Sequence, residues 1–314
     1  MDNWQPSASR QNLKLRATAL AALREFFREQ QVMEVETPLL AKFSVTDPHL
    51  HSIPVPQISG TQKNYFLQTS PEMAMKRLLA SGSGSIYQIC KAFRQDESGS
   101  RHSPEFTLLE WYRTDFDEWR LMDEVEALVR RLTNRGKIAR CSYRELFMHY
   151  LQVDPFVCTD DELLAIVHRQ LDLHSDACSR DDLLQLLLAQ LIEPVLENDC
   201  FVYHFPVSMA ALAQTESDAQ GVQVARRFEL FMGRMEIANG YFELTDANEQ
   251  QRRFAADNEQ REQQGLPRIP YDEKLLAALE HGLPVCSGVA LGLDRLLMIM
   301  AGTDRIEDVL SFTL

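Results

Sequence analysis

The chain has 314 residues, 45% of them hydrophobic, and carries 32 lysines and arginines against 46 aspartates and glutamates, a formal net charge of −14. That composition buries one large core or two modest ones, and the acidic balance argues against a long polyanion as partner, because phosphate neutralisation dominates nucleic-acid affinity. No apolar run reaches the roughly 18 residues of a membrane span, and the opening MDNWQPSASRQ lacks a basic-then-apolar signal pattern, so a cytoplasmic protein whose partner is basic or cationic is expected.

Leu13, Ala17, Leu20, Leu23 and Phe27 recur at three-to-four spacing and predict a helix over Ser9 to Gln30. Val32 to Leu40 alternates and stops at Pro38, as an edge strand does. His49 and His51 either share a strand face or sit in a loop, with no third metal ligand in sight. Asn64 to Gln68 reads as a short strand, followed by a helix with Ser70 as N-cap and Pro71 at its first position. Glu72 then lies in the first turn, where the helix dipole alone would account for a carboxylate.

Ile86 to Phe93 and Glu105 to Arg113 are rich in aromatic and branched residues, and the segment between them, RQDESGSRHSP, is polar, which predicts a long-looped antiparallel hairpin. Alternation puts Phe106, Leu108, Glu110 and Tyr112 on one face, with Arg94 at the loop mouth. A ring, a carboxylate, a phenol and a guanidinium suit a nucleotide base, an amine and a phosphate; the alternative is a core phenylalanine and a solvated ion pair.

Phe116 to Leu132 reads as a helix, and Ser142 to Leu196 as a helical insertion, clearest at Asp160 to Gln170 and Arg180 to Leu191. Cys200 to Pro206 is a strand. Gly233-Arg234 suits a type II′ hairpin turn that pairs Met232 with Met235 and sets Glu229 opposite Ala238. Glu229 and Glu236 then become diagonal neighbours at roughly 7 to 8 Å, able to share one divalent cation or to stand as two solvated carboxylates. Strict alternation leaves Asn239, Tyr241 and Glu243 on the face opposite Glu236, and a bulge near Gly240 would reconcile the two sets.

Asp246 caps a polar helix to about Gln264, and a second helix runs from Asp272 to His281. The strand PVCSGVALG feeds the helix LDRLLMIMAG, in which Gly288 and Gly292 permit close backbone approach. Arg295 in that helix's first turn opposes the dipole, so an anion nearby would account for it. The six cysteines are scattered and read as free thiols. With no repeat and no low-complexity linker, one domain is expected.

Three stretches resemble one family. FRQDESGSRHSPEFTLLEWY is similar to motif 2 of the class II aminoacyl-tRNA synthetases, in particular the lysyl branch; RFELFMGRMEIANGYFELTDA resembles the same branch, and GVALGLDRLLM resembles motif 3. The resemblance implies an α+β catalytic domain with an antiparallel sheet flanked by helices, a homodimer formed through the motif 1-like Val32 to Leu40, and ATP-dependent adenylation of an amino acid. It implies that Arg94 bridges the α-phosphate and the substrate carboxylate, Arg295 holds the γ-phosphate and Phe106 stacks on adenine. Gln95, Asp96, His102, Ser103, Ile237 and Gly292 would be further ATP contacts, and Glu229 and Glu236 would carry Mg2+. Ser70, Pro71, Glu72, Glu110, Tyr112, Asn239, Tyr241 and Glu243 would bind a diamino acid, with Tyr112 and Glu243 on its side-chain ammonium. Ala290 replaces a glycine of the tRNA ligases and would disfavour α-lysine. Gln95-Asp96 and Ser103 depart from the family's Asn-Glu and Asn.

The residues before the first helix are too few for the five strands of an anticodon-binding OB-fold. Over its whole length the chain resembles the paralogues that lack this module and attach β-lysine to a lysine of elongation factor P rather than to tRNA. A truncated tRNA ligase, an amide-forming relative such as an asparagine synthetase, and a non-catalytic binding paralogue are the rival readings.

Overall fold

A computed structural model describes residues 4–56, 65–171 and 179–313. Two compact units result: Met1–Arg135 with Glu243–Leu314, and Gly136–Phe242.

Helix α1 (Arg10–Glu29) starts at Ser9, whose hydroxyl accepts the Asn12 N–H. Its buried face is Ala19, Leu23, Phe26 and Phe27, a helical stripe turned from the expected one so that Ala17 is exposed. Strand β1 (Met33–Glu34) is the expected edge strand, cut to two residues. Strands β2 (Leu40–Ala41), β3 (Pro54–Val55) and β4 (Tyr65–Leu67) make a small sheet ordered β2-β4-β3. His49 and His51 lie in the loop before β3, not on a strand, and Asn64 of the predicted strand lies outside the described residues.

Helix α2 (Glu72–Ala80) begins one residue later than predicted. Pro71 is its cap: the Pro71 carbonyl accepts from Ala74 and Met75, while the Ser70 hydroxyl accepts the Glu72 N–H at 3.1 Å. Strands β5 (Ile86–Phe93) and β6 (Glu105–Thr114) form the predicted hairpin in unbroken register from Ile86↔Tyr112 to Phe93↔Glu105. Asp117 caps helix α3 (Glu118–Thr133).

In the second unit, β7 (Ala139–Ser142) leads into α4 (Tyr143–Leu151), α5 (Asp160–Leu171) and α6 (Arg180–Leu187). Ser142 with Glu145, and Ser179 with Asp182, close capping boxes on α4 and α6. These helices bury Phe147, Leu163 and Leu184 with Val202 and Phe205 of β8 (Cys200–Pro206), so the insertion packs as core, as its leucine-rich pattern suggested. Strands β9 (Thr215–Ser217), β10 (Gln223–Met232) and β11 (Met235–Phe242) complete the unit, its sheet ordered β11-β10-β8-β7 with β9 on β10.

The β10–β11 hairpin departs from expectation in two ways. Gly233 and Arg234 both have positive φ (55° and 62°), which makes the turn type I′ and not II′. Met232 does pair with Met235, but Ile237 is an extra residue: Phe231 faces Glu236 while Leu230 faces Ala238, so Glu229 lies opposite Asn239 rather than Ala238. The bulge thus falls at Ile237 and not near Gly240, which keeps a regular pairing with Phe228. A Cβ on Gly240 would sit 2.3 Å from the Phe228 ring, so that glycine serves ring packing.

The chain ends in the first unit with α7 (Ala247–Gln263), α8 (Glu273–Gly282), β12 (Cys286–Gly292) and α9 (Leu293–Ala301). Strand β12 lies antiparallel to β6, giving the order β1-β5-β6-β12. Phe27, Trp111, Leu109 and Leu296 are fully buried behind it. The fold class is α+β as expected, with two parallel pairs, β1 on β5 and β7 on β8. The five described cysteines are free, and Cys178 lies outside the described residues.

Candidate active site

One face of the first unit's sheet carries a buried cluster of charge. Glu110 of β6 is 2% exposed; its Oε1 accepts from the Tyr112 hydroxyl at 2.8 Å, and its Oε2 is buried with no hydrogen-bond partner. Lys76 of α2, 1% exposed, places Nζ 2.6 Å from Glu72 Oε1 and 2.6 Å from Glu243 Oε2. Burial pushes the Glu110 carboxyl up to about 8, helped by the charge of Glu72 and opposed by the Tyr112 hydrogen bond. Glu243 is likewise raised by burial to about 8, against the pull of Lys76. Burial draws the Lys76 ammonium down, but the charges of Glu243 and Glu72 outweigh it and hold it above the usual lysine range.

Strand β12 closes this cluster by what it lacks. Gly288 pairs with Tyr112, and a Cβ there would lie 2.2 Å from Tyr112 Cε1 and 2.6 Å from Glu243 Oε1. Ala290 pairs with Glu110, so its methyl group stands beside that carboxylate's strand position.

The nucleotide candidates of the first unit gather at the β5–β6 loop. The Arg94 guanidinium lies over the Phe106 ring at 5.1 Å, with Nη1 3.4 Å from Glu97 and Nε buried without a hydrogen-bond partner. Arg295 Nη2 is 2.6 Å from His102 Nε2, and its Nε donates to the Arg101 carbonyl at 3.4 Å, so its donors are held by the loop. Asp294 fixes the start of α9 on β6: it accepts the Thr107 N–H at 2.7 Å and pairs with Arg16. Gly292 is the α9 N-cap. A cavity of about 600 Å³ is lined by Ser98, Ser100, His102, Ser103 and Arg305, among others. Asp96 is exposed at a left-handed φ of 63°, and Gln95 donates its N–H to the His51 carbonyl at 2.7 Å.

In the second unit the bulge at Ile237 restores what strict alternation denied: Glu236, Asn239 and Tyr241 fall on the face of Glu229 and Arg227. Arg227 donates to Glu229 Oε1 at 2.5 Å and to the Met209 carbonyl at 2.7 Å. Burial raises Glu229 to about 7, the Arg227 charge lowering it and Glu236 raising it. Asn239 Oδ1 is buried with no hydrogen-bond partner. Among the described residues no three acidic, histidine or cysteine side chains cluster as a metal site. Two carboxylates and an amide oxygen nonetheless fit magnesium, which takes hard oxygen donors and completes its shell with water and substrate phosphates.

The family model described as tRNA synthetases class II (D, K and N) matches residues 2–314. The chain belongs to that family. Among class II synthetase relatives, it is 47% identical to the elongation factor P–(R)-β-lysine ligase of Pasteurella multocida over 316 residues, 99% of this chain and 97% of that protein. The ligases of the same name from Pseudoalteromonas translucida and Proteus mirabilis are each 48% identical, over 98% and 99% of this chain and 97% of their own length.

Within this class II domain the structure brings together Glu72, Glu110, Tyr112, Glu243 and Ala290 in the first unit, and Arg94 with Phe106. Sequence reasoning missed Lys76, Arg227 and Asp294. Lys76 stands four residues after Glu72 on a helix, a visible pairing signal, but nothing in the sequence revealed its burial.

Proposed function

We propose that the enzyme adenylates (R)-β-lysine with ATP and transfers the β-lysyl group to a lysine side chain of elongation factor P. One observation carries the substrate class: three carboxylates, the buried Glu110 and Glu243 and the half-buried Glu72, face one ammonium, Lys76, which leaves two negative charges to be met by the two ammonium groups of a diamino acid. The relatives' shared name supports β-lysine as that diamino acid and elongation factor P as the acceptor. A net charge of −14 supports a protein acceptor over tRNA.

The chemistry asks little proton transfer and much positioning. Arg94 leaves its stack on Phe106 to hold the α-phosphate and the substrate carboxylate, freeing the ring for adenine, and Arg295 holds the γ-phosphate. His102, Ser103, Gln95 and Asp96 on the loop, with Ile237 and Gly292, complete the ATP contacts. Glu229 and Glu236 would hold magnesium, which would supply charge neutralisation at the phosphates. Ser70 and Pro71 set the start of α2 and thereby the place of Glu72; Asn239 and Tyr241 are further substrate contacts.

The family model spans both units, which supports their acting as one catalytic domain. Met33, Leu39 and Leu40 are exposed apolar residues at the motif 1-like segment and support a homodimer. Free thiols at the described cysteines, and no described helix long and apolar enough to cross a membrane, support a cytoplasmic place of action.

Incubation with ATP, labelled (R)-β-lysine, elongation factor P and total tRNA tests the reading. Label should appear in the protein, and label chiefly in tRNA overturns it. Arg94→Lys and Arg295→Ala should each slow ATP–pyrophosphate exchange about a hundredfold or more.

A further inference from the structure

The mechanism above uses three carboxylates of the pocket and leaves the buried ammonium among them without a task. Lys76 is as buried as any core leucine, and it reaches two acidic residues from different elements, Glu72 on its own helix and Glu243 after β11, at 2.6 Å each. Among the described residues, Glu110 on β6 and Cys286 on β12 also lie within its field, Tyr112 on β6 feels the same three carboxylates, and none of these groups is cationic. Arg77, the next residue, turns away to Asp272 at 3.5 Å.

An ammonium in this place stabilises a fold poorly compared with apolar packing. A carboxylate pair replaced by apolar side chains would cost less than three acids sharing one base. Its effect is on the state of the acids. Without Lys76, the buried Glu243 would lose the cation 2.6 Å from it and take up a proton more readily, and Glu72 would lose its partner at the same distance. A protonated carboxyl binds an incoming ammonium poorly, because the charge-assisted hydrogen bond is lost.

We propose that Lys76 is a positioning residue: a resident counter-ion, paired with both Glu72 and Glu243, that offsets one of the pocket's three carboxylates so that a ligand with two ammonium groups, and not one with a single ammonium, completes it. The proposal rests on the diamino-acid reading above and deepens it. In the empty pocket the two surplus charges are neutralised by protons, chiefly on Glu110 and Glu243, whose carboxyls burial raises to about 8. Each ammonium of the ligand then replaces one proton, which leaves to solvent, so binding and proton release are coupled.

Calorimetric titration of (R)-β-lysine into the full chain, repeated in buffers of different ionisation enthalpy, reads that coupling without any turnover. At pH 7 the wild type should release about one to two protons per ligand. Lys76→Met should bind about tenfold or more weakly at pH 7, release about one proton more, and regain affinity as the pH is raised toward 9. Glu72→Gln/Lys76→Met removes one charge of each sign and should return the proton count to that of the wild type; it also serves where the single variant fails to fold. The isostere of β-lysine with a methyl in place of its 6-ammonium should release about one proton fewer than β-lysine and bind at least tenfold more weakly.

Weaker binding by Lys76→Met with an unchanged proton count and pH profile would make Lys76 a packing residue and end the proposal, as would a wild type that binds with no proton release. A wild type that ignores (R)-β-lysine but binds α-lysine with the expected proton count would overturn the substrate and sustain the counter-ion.

Discussion

In the first unit one ammonium, that of Lys76, faces three carboxylates, Glu72, Glu110 and Glu243, whereas in the second the Arg227 guanidinium faces Glu229 one to one, with Glu236 adding a lesser charge. Both clusters are buried, and both hold carboxyls raised by burial. They differ in balance. The Arg227–Glu229 pair is matched and holds the protein in place, so that only the further carboxylate of Glu236 calls for a cation there; the acid-rich cluster lacks two, and what it holds is a ligand. Buried charge by itself therefore says little about function, while the surplus of one sign says a good deal.

The largest effect that can break this distinction is expected in the balanced pair. Arg227→Met leaves Glu229 buried without its partner and should cost about 3–5 kcal/mol of stability, read as a lower urea midpoint at unchanged slope. A loss under about 1 kcal/mol would mean that the pair is no scaffold. Glu110→Gln is the mirror experiment: it removes a surplus charge whose Oε2 has no hydrogen-bond partner, so stability should hold or rise while kcat/KM for the diamino acid falls about a hundredfold. Equal damage to stability and activity would erase the contrast.

A smaller change sharpens the acid-rich cluster. Ala290→Gly removes a methyl group at the strand position paired with Glu110 and should raise activity with α-lysine by about ten- to a hundredfold. Unchanged discrimination would place the choice with the carboxylates that hold the amine. The mildest test is pH. Glu110 and Glu243 titrate near 8 in the folded empty pocket and near the ordinary carboxylate value when unfolded, so the folded state holds more protons in between. Their contribution is therefore fully present below about pH 4 and is lost as pH rises through about 8. A diamino acid should raise Tm by about 2–4 °C more at pH 8.5 than at pH 6.

The hairpin of β5 and β6 was legible residue by residue, because alternation, a polar loop and aromatic strands all point the same way. The helices expected from Ser9, Phe116 and Asp246 begin within a residue or two of those positions, the first legible from its apolar repeat and the third from a capping aspartate whose side chain accepts free N–H groups. The start of α2 was misplaced because Pro71 supplies the first accepting carbonyl. Glu72, Glu110 and Glu243 were found through the resemblance to class II synthetases, yet Lys76 escaped, since a lysine on an amphipathic helix reads as a solvated face until packing shows otherwise. The second hairpin resisted for a different reason. Two glycine-compatible turns fit Gly233-Arg234, and a single extra residue can be taken up at several places along a strand at similar cost.

Ile237, the residue that takes it up, can be regarded as a shift of phase. On a regular strand, side chains three apart look in opposite directions, yet Glu236 and Asn239 are three apart and look the same way. Drawing Ile237 into the ladder would therefore invert the strand beyond it, turning Ala238 and Gly240 to the face now held by Asn239 and Tyr241, whereas deleting Ile237 would leave every pair and every face as it is. What matters at this point is whether the residue is paired or bulged, not how long the hairpin is. A designer who grafts these residues must copy the irregularity along with them.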